Sequence, residues 1–349
     1  MNASVLISGA GPAGMSLARL LQADGWSVTV VERAPAVRSG GYAVDLRDEG
    51  MDVAAELGVL DALQARRTAM TGTSLLDADG AVVGELPAEE FAGALEVPKP
   101  VLVEQLFALT RDTVEYVFDD SIAGLVHRDE GVDVTLASGA TRSCALVVGA
   151  DGVWSATRRL AVTDRPDVVR HLGLSGAGFT TDNVLGLDHR GVLRTGRGTA
   201  TYAFSEADRA RMTVSLTFAT SSAALDRAPR DEQQAAVRGA FAGDGWRTPE
   251  LLDAMGHADD FYFASAAQVH LPTWSAGRVV LLGDAACCAA PTSGMGTTQA
   301  FVAARALARA LRGADLGAGL ARYEREVRPF AEANQKLGAE GAVRFGATG

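Results

Sequence analysis

The sequence predicts an α/β fold in which a parallel βαβ unit is interrupted by a β-rich segment containing an antiparallel sheet. Three observations predict this fold. An apolar run at residues 5–8 leads into spaced glycines and then into a helical apolar pattern. Residues 199–204 and 212–218 alternate between apolar and polar side chains, as half-buried antiparallel strands do. A second short apolar strand at residues 279–282 resumes the first unit after the β-rich segment.

The spaced glycines are Gly9, Gly11 and Gly14, in the pattern Gly-x-Gly-x-x-Gly. In order, such glycines permit a tight turn off the strand, a close approach of the backbone to a pyrophosphate, and close packing of the helix on the strand. The helix begins at Pro12 and Ala13, and proline is tolerated there because its missing N–H would have no helical partner. The unpaired N–H groups and the positive dipole end favour an anion.

Glu32 ends the second strand of this unit, roughly 20 residues after the glycines. A carboxylate in that position accepts hydrogen bonds from ribose hydroxyls and disfavours a 2′-phosphate, so it indicates an adenosine ribose. The alternative is a glycine-rich turn that binds nothing. The strand, helix and terminal acid in register favour a dinucleotide.

Composition narrows the classes of partner. The chain has 349 residues, a net charge of -11 and no basic cluster, so nucleic acid and anionic membranes are poor partners. No apolar run approaches the ~20 residues of a membrane span, and no signal peptide is evident, so we expect a cytoplasmic protein. Three cysteines and five histidines lack the spacing of a disulfide framework or a metal site. The oligomeric state stays open.

The remaining elements follow from periodicity and turn residues. Helices are predicted at residues 48–65, 102–110, 230–241, 249–255, 300–311 and 320–337. Strands are predicted as a hairpin at residues 73–86 and at residues 114–118, 121–127, 132–136 and 144–148. The β-rich texture runs from about residue 169 to residue 270.

A second motif, at residues 149–152, reads Gly-Ala-Asp-Gly and contains Asp151. An apolar strand leads into this turn, and Ser155 follows as a candidate cap for the next helix. On its own, the motif is equally typical of a well-made strand-to-helix turn.

A third motif begins with Gly283 and Asp284 at the end of the strand at residues 279–282. A carboxylate at the C-terminal end of a strand lies where open α/β sheets bind ligands, and Asp284 could accept hydrogen bonds from a polyol such as a ribityl chain. Gly294 and Gly296 would bring bare backbone against a flat ring, and the helix that follows would stabilise negative charge on it. The alternative is a bare loop entering a surface helix.

Together the three motifs resemble those of the class A FAD-dependent flavoprotein monooxygenases, which share the fold of para-hydroxybenzoate hydroxylase. The stretch GGYAVDLR at residues 40–47 resembles the branch containing tetracycline-inactivating monooxygenases and actinobacterial relatives that act on polycyclic products. The resemblance implies a Rossmann-like FAD-binding domain of the glutathione-reductase type at residues 1–70, 97–165 and 273–349. It implies a β-rich substrate domain at residues 71–96 and 166–272.

The resemblance also implies roles for individual residues. Lys99 stands where the family usually has arginine, so the FAD contact it implies lacks a planar fork. We expect Cys287 and Cys288 to be small buried hydrophobes rather than redox partners. The other implied contacts are Glu32 at the adenosine ribose and Arg33 along the adenine; Gly9, Gly11, Pro12, Ala13 and Gly14 at the pyrophosphate; Asp284 at the ribityl chain; Pro291, Gly294, Met295, Gly296 and Thr297 at the isoalloxazine; Asp151 supporting FAD and the use of NAD(P)H; and Gly40, Asp45 and Arg47 near the flavin ring.

In this family NAD(P)H reduces FAD, O2 forms a C4a-hydroperoxide, and the distal oxygen passes to an electron-rich substrate. The resemblance therefore implies a monooxygenase that acts on an aromatic or polyketide-like small molecule, in secondary metabolism such as antibiotic biosynthesis or in xenobiotic modification. Because the cofactor carries the chemistry, no general base is named, and Arg47 is the polar residue expected nearest the reacting ring. The open alternatives are an FAD-bound non-redox cyclase, another flavin oxidoreductase such as an oxidase, dehydrogenase or halogenase, and a plain Rossmann dehydrogenase.

Overall fold

The structure is a computed structural model that describes residues 3–37, 43–88, 94–205, 209–313 and 315–347. In chain order the described strands are β1 (Ser4–Ser8), β2 (Ser27–Val31), β3 (Ala43–Leu46), β4 (Gly72–Leu76), β5 (Val82–Pro87), β6 (Leu95–Pro98), β7 (Glu115–Val117), β8 (Ile122–His127), β9 (Val132–Leu136), β10 (Thr141–Cys144), β11 (Leu146–Gly149), β12 (Val169–Asp182), β13 (Gly191–Thr195), β14 (Thr199–Phe204), β15 (Arg211–Ala219), β16 (Tyr262–Val269), β17 (Ser275–Ala276) and β18 (Val279–Leu281). The described helices are α1 (Pro12–Ala23), α2 (Glu49–Leu57), α3 (Leu60–Ala65), α4 (Lys99–Thr110), α5 (Ala156–Ala161), α6 (Arg230–Ala240), α7 (Thr248–His257), α8 (Asp284–Cys287), α9 (Gly296–Leu311) and α10 (Leu316–Arg344).

The first sheet has the strand order β17-β18-β11-β1-β2-β7, and all its pairs are parallel except β17 with β18. Its central strands β1, β11 and β18 are almost fully buried. Parallel strands covered on both faces read as continuous apolar runs, which is the pattern of residues 5–8 and 279–282. Helices α1, α4 and α9 contribute to the core that covers one face. The antiparallel strands β8, β9 and β10 contribute to a separate core against the other face.

The second large sheet has the order β16-β12-β15-β14-β13-β4-β5 and is antiparallel apart from the pair β13–β4. Side chains alternate between its two faces. One face, including Phe179 and Leu216, packs on α6 and α7. On the other face Leu174 packs with Ala290 and with Ala342 of α10, so this face is turned toward the loop that precedes α9. A small ribbon of β3 and β6 completes the described sheets.

The predicted fold class is confirmed, and differences from the predicted elements have local causes. The helix predicted at residues 48–65 is two helices, because Gly58 adopts a left-handed conformation with φ of 83° and ends α2. The strand predicted at residues 144–148 is divided between β10 and β11, which belong to different sheets. The hairpin β4–β5 forms as predicted. In the described part of the chain, every helix is too short or too polar to span a membrane.

Candidate functional site

The first glycine motif forms the turn between β1 and α1, and two of its glycines are required by packing. Gly9 has φ of +108°, and a Cβ on it would lie 2.4 Å from the carbonyl oxygen of Ala150. A Cβ on Gly14 would lie 2.0 Å from the carbonyl oxygen of Gly9. Both distances are far below van der Waals contact, so only glycine fits. The turn is therefore pressed against itself and against the second motif.

Gly11 differs from its two neighbours in the motif because the space beside it is open. It is the N-cap of α1, Pro12 is the first helical residue, and a Cβ on Gly11 would meet no heavy atom within 4 Å. Ala13 is buried against the loop. The unpaired N–H groups of a helix N-terminus thus border an open space without side chains, which suits a phosphate group.

Glu32 lies at the end of β2 and is 9% exposed. Its Oε2 accepts a hydrogen bond of 2.9 Å from the N–H of Ala10, and its Oε1 accepts one of 3.0 Å from Ala34. The carboxylate therefore fixes the glycine turn to the end of β2. The side chain of the next residue, Arg33, is exposed.

Asp151 caps the start of α5. Its Oδ1 accepts a hydrogen bond of 2.5 Å from the Ser155 hydroxyl, and its Oδ2 accepts two of 3.0 Å from the backbone and side chain of Thr157. Ser155 is the N-cap, as predicted, and accepts from the N–H of Arg158. The buried Arg158 donates to the carbonyl oxygens of Ala285 at 3.0 Å and of Val153 at 2.6 Å. This arginine, which the sequence did not single out, joins the second motif to the third.

Asp284 begins α8 directly after Gly283, whose φ is +62° and whose Cβ position lies 2.9 Å from Cβ of Ala13. The third motif is therefore in contact with the first. The Asp284 side chain is exposed, but the residues on both sides of it, 281–283 and 285–290, are buried, so the carboxyl is only partly in contact with solvent. This partial desolvation raises the pKa of the carboxyl, while a hydrogen bond with Cys288 and the positive charge of Lys99 oppose the rise.

The loop before α9 meets β3. Gly294 has φ of +64°, and its Cβ position is 3.9 Å from Oδ2 of Asp45 and 4.0 Å from Nη2 of Arg47. The Thr298 hydroxyl accepts from the N–H of Arg47 at 3.1 Å and donates to the carbonyl oxygen of Asp45 at 3.3 Å. Arg47 Nη2 lies 3.8 Å from Oδ2 of Asp45. The backbone of β3 is thereby fixed to the first turn of α9, a contact that no pattern in the sequence indicates.

The other predicted residues of this loop are exposed or half-buried. Pro291 is exposed and begins a short 3-10 turn, and Met295 is the N-cap of α9, with its N–H bonded to the Ser293 hydroxyl at 3.1 Å. Gly296 is exposed with no heavy atom within 4 Å of its Cβ position, and Thr297 is half-buried. Gly40 lies outside the described residues.

The two adjacent cysteines, Cys287 and Cys288, are buried and have free thiols. Burial raises the pKa of both thiols, and the nearby Asp284 carboxyl raises it further. Thiols held in the protonated form are poor nucleophiles. Their environment is that of small buried hydrophobes.

The face of the large antiparallel sheet that is turned toward this loop carries hydroxyl groups. Register places Tyr202 opposite Ser215, Phe204 opposite Thr213, and Tyr262 opposite Gly178. These residues alternate with the apolar side chains that pack on α6 and α7. The rings of Tyr202 and Phe204 stack with centroids 5.2 Å apart. This face of the sheet thus presents aromatic and hydroxyl side chains.

These residues fit FAD. Gly11 and Gly296 each leave space that a Cβ would fill, one at the N-terminus of α1 and one at the N-terminus of α9. Asp284 follows Gly283, which approaches Ala13 of the first motif, and its carboxyl is close enough to Lys99 for the two charges to interact. An extended ligand with a diphosphate, a polyol and a flat ring matches this series of backbone N–H groups, carboxylate and bare loop.

Comparison with known proteins agrees with this geometry. The model of the family described as "FAD binding domain" matches residues 2–337. An uncharacterized protein of Mycobacterium tuberculosis is 37% identical over 96% of this chain and 92% of its own length. A flavin-dependent monooxygenase of Legionella longbeachae is 32% identical over 97% of this chain and 88% of its own length. The crystal structure of the tetracycline destructase Tet(51) superposes with a TM-score of 0.89 at 32% identity, covering 99% of this chain and 92% of that one.

Proposed function

The chain belongs to the FAD-binding family of flavin-dependent monooxygenases, and from this premise we propose that it oxygenates a hydroxylated aromatic or polycyclic compound at the expense of NAD(P)H. The observation that supports the substrate assignment is the environment of the Arg47 guanidinium. Its Nε is buried and has no hydrogen-bond partner among the described residues, although Nη2 lies near Asp45. A buried guanidinium N–H without a partner is costly, so it suits a site where a ligand oxygen completes the bond.

When bound, FAD supplies the electron transfer and the activation of O2, and the protein supplies binding, orientation and electrostatics. In the proposed arrangement, the N–H groups at Gly11 and the start of α1 hold the diphosphate, and Glu32 lies at the adenosine ribose. Asp284 and Lys99 hold the polyol region. The N-terminus of α9, beside Gly296, places its positive dipole end at the ring.

The substrate lies, in this proposal, between the loop at Gly294 and the hydroxyl face of the antiparallel sheet. Stacked Tyr202 and Phe204 offer an aromatic wall, and Ser215 and Thr213 offer neutral hydrogen-bonding groups. Arg47 donates from Nε to a phenol or enol oxygen of the substrate and favours its ionised form. Ionisation makes the adjacent ring carbon more electron-rich, which is the state required for accepting an oxygen atom.

The test compares NAD(P)H consumption and product formation with a panel of phenolic and polycyclic compounds, and it measures flavin reduction anaerobically by stopped flow. We expect a substrate to accelerate both. Arg47→Met should lower kcat/KM by about 10- to 100-fold, because a hydrogen bond from a charged group contributes about 1.5–3 kcal/mol. FAD affinity should be retained. Arg66→Met is the matched control, since Arg66 forms an exposed ion pair with Glu104.

Two outcomes would contradict the proposal. Conversion of a compound without consumption of NAD(P)H would favour a cyclase that holds FAD without using its redox chemistry. Unchanged kcat/KM in Arg47→Met for every accepted compound would show that the guanidinium does not bind the substrate.

A further inference from the structure

A pair of carboxyl groups lies on one face of the ribbon of β3 and β6. Asp45 stands directly opposite Glu96 in the antiparallel register. Leu46 and Val97 are fully buried on the opposite face of the ribbon. Because side chains alternate along a strand, Asp45, Arg47 and Glu96 share the face next to Gly294. No motif in the sequence includes Glu96, although an acid between two apolar residues before a proline is unusual in a strand.

Glu96 is half-buried, and its polar neighbours include Thr68. Its Oε2 accepts a hydrogen bond of 2.8 Å from the Thr68 hydroxyl, and its carbonyl oxygen accepts one of 3.0 Å from the N–H of Thr68. The carbonyl oxygen of Thr68 in turn lies 3.1 Å from Nδ1 of His189. Among the described residues, the charged groups on the adjoining segments are Asp45 on β3, Arg47 directly after β3, and Lys99 at the start of α4.

Like charges directly opposite each other in a ribbon repel, and burial adds to the cost of the second charge. Burial, followed by repulsion from Asp45, raises the pKa of Glu96 to about 7, and the Thr68 hydrogen bond opposes this rise. Arg47 lies beside Asp45, at 3.8 Å, and is thus placed to compensate one negative charge.

We propose that Asp45 and Glu96 hold only one proton between them beside the flavin site, that Glu96 carries this proton, and that Glu96 is thereby a positioning residue for Asp45 and Arg47. With the proton present, the pair carries a single negative charge, which Arg47 balances, and the Nε of Arg47 stays directed to a ligand. Loss of the proton adds a second negative charge to this face of the ribbon. The inference rests on the proposed function, because it places Asp45 and Arg47 at the flavin and the substrate.

Infrared difference spectroscopy of the protein between pH 5 and pH 9 tests the shared proton. We expect the carbonyl band of a protonated carboxylic acid to disappear with a midpoint near pH 7, and Glu96→Gln to lack this transition. Asp45→Asn should move the midpoint to lower pH, because repulsion is removed. Thr68→Val should move it to higher pH, because a hydrogen bond to the ionised form is lost. Glu104→Gln, an exposed acid on α4, is the control.

A second readout tests the positioning role. In the FAD-loaded protein the visible flavin band should shift with the same midpoint, and this shift should be absent in Glu96→Gln. A persistent carboxyl transition in Glu96→Gln, or midpoints that move in the same direction in Asp45→Asn and Thr68→Val, would overturn the shared proton. A flavin band that does not shift with the carboxyl transition would overturn the positioning role. Failure to bind FAD would instead refute the proposed function, and the carboxyl titration of the protein alone would still report on the pair.

Discussion

Gly11 and Gly14 belong to one motif, but the structure gives them different tasks, and alanine substitution separates the two. A Cβ on Gly14 would lie 2.0 Å from the carbonyl oxygen of Gly9, whereas a Cβ on Gly11 would meet no heavy atom within 4 Å. We expect Gly14→Ala to destabilise the protein even without ligand. We expect Gly11→Ala to leave the fold intact and to weaken FAD binding.

The magnitudes follow from these distances. The Gly14 methyl group needs a displacement of more than 1 Å, and the obstacle is backbone, so the cost should reach the upper end of the about 1–3 kcal/mol typical of overpacking. A cost of about 3 kcal/mol lowers the ratio of folded to unfolded protein more than 100-fold. Gly11 has φ of -82° and ψ of 178°, which alanine adopts freely. Its substitution should therefore change the free energy of unfolding by about 0.5 kcal/mol or less.

Urea unfolding of the ligand-free variants measures the first effect, and quenching of FAD fluorescence measures the second. If the Gly11 backbone approaches the diphosphate, an intervening methyl group should weaken FAD binding about 10- to 100-fold. Wild-type affinity in Gly11→Ala would refute the assignment of the diphosphate to this turn. Equal destabilisation by the two substitutions would refute the distinction between a packed and an open glycine.

Two further predictions concern stability. Glu96 has a folded-state pKa of about 7, above its ordinary value of 4.5. Its contribution to stability is therefore complete below pH 4.5 and is lost as the pH rises to 7, and the loss should total up to about 3 kcal/mol in wild type. A free energy of unfolding in urea that does not change with pH in either wild type or Glu96→Gln would contradict this prediction. Tyr323 is fully buried and its hydroxyl donates to the carbonyl oxygen of Leu281 at 3.1 Å. Tyr323→Phe should therefore lower the free energy of unfolding by about 1 kcal/mol without changing FAD affinity. A loss of FAD affinity at unchanged stability would contradict this structural role.

Local sequence patterns were sufficient to predict the elements whose signals lie within one contiguous segment. The apolar strand, the glycine turn and the helix at Pro12 are contiguous, so periodicity and turn chemistry predict them together. The Ser155 cap is likewise encoded within four residues. In contrast, periodicity alone did not divide the helix at residues 48–65, because a single left-handed glycine, Gly58, outweighs an otherwise continuous apolar pattern.

The parts that were missed depend on pairing between distant segments. Glu96 and Asp45 are brought together by the register of β3 and β6, and no local signal specifies that register. The hydrogen bond from Arg158 to Ala285 joins residues 127 positions apart. The Thr298 hydroxyl donates to Asp45 of β3, 253 residues earlier in the chain. Contacts of this kind follow from the tertiary arrangement, which propensity and spacing do not determine.

The three motifs are already joined to one another by contacts that need no ligand. Gly9 is pressed against the Ala150 backbone, Gly283 approaches Ala13, and Arg158 binds the carbonyl oxygen of Ala285. Each contact involves backbone atoms or a glycine, so small displacements are resisted by hard contacts rather than by flexible side chains. The open positions, Gly11 and Gly296, thus stand on a framework that is rigid around them. A framework assembled before binding spares the ligand the cost of ordering it, which is how preorganised sites gain affinity for an extended cofactor.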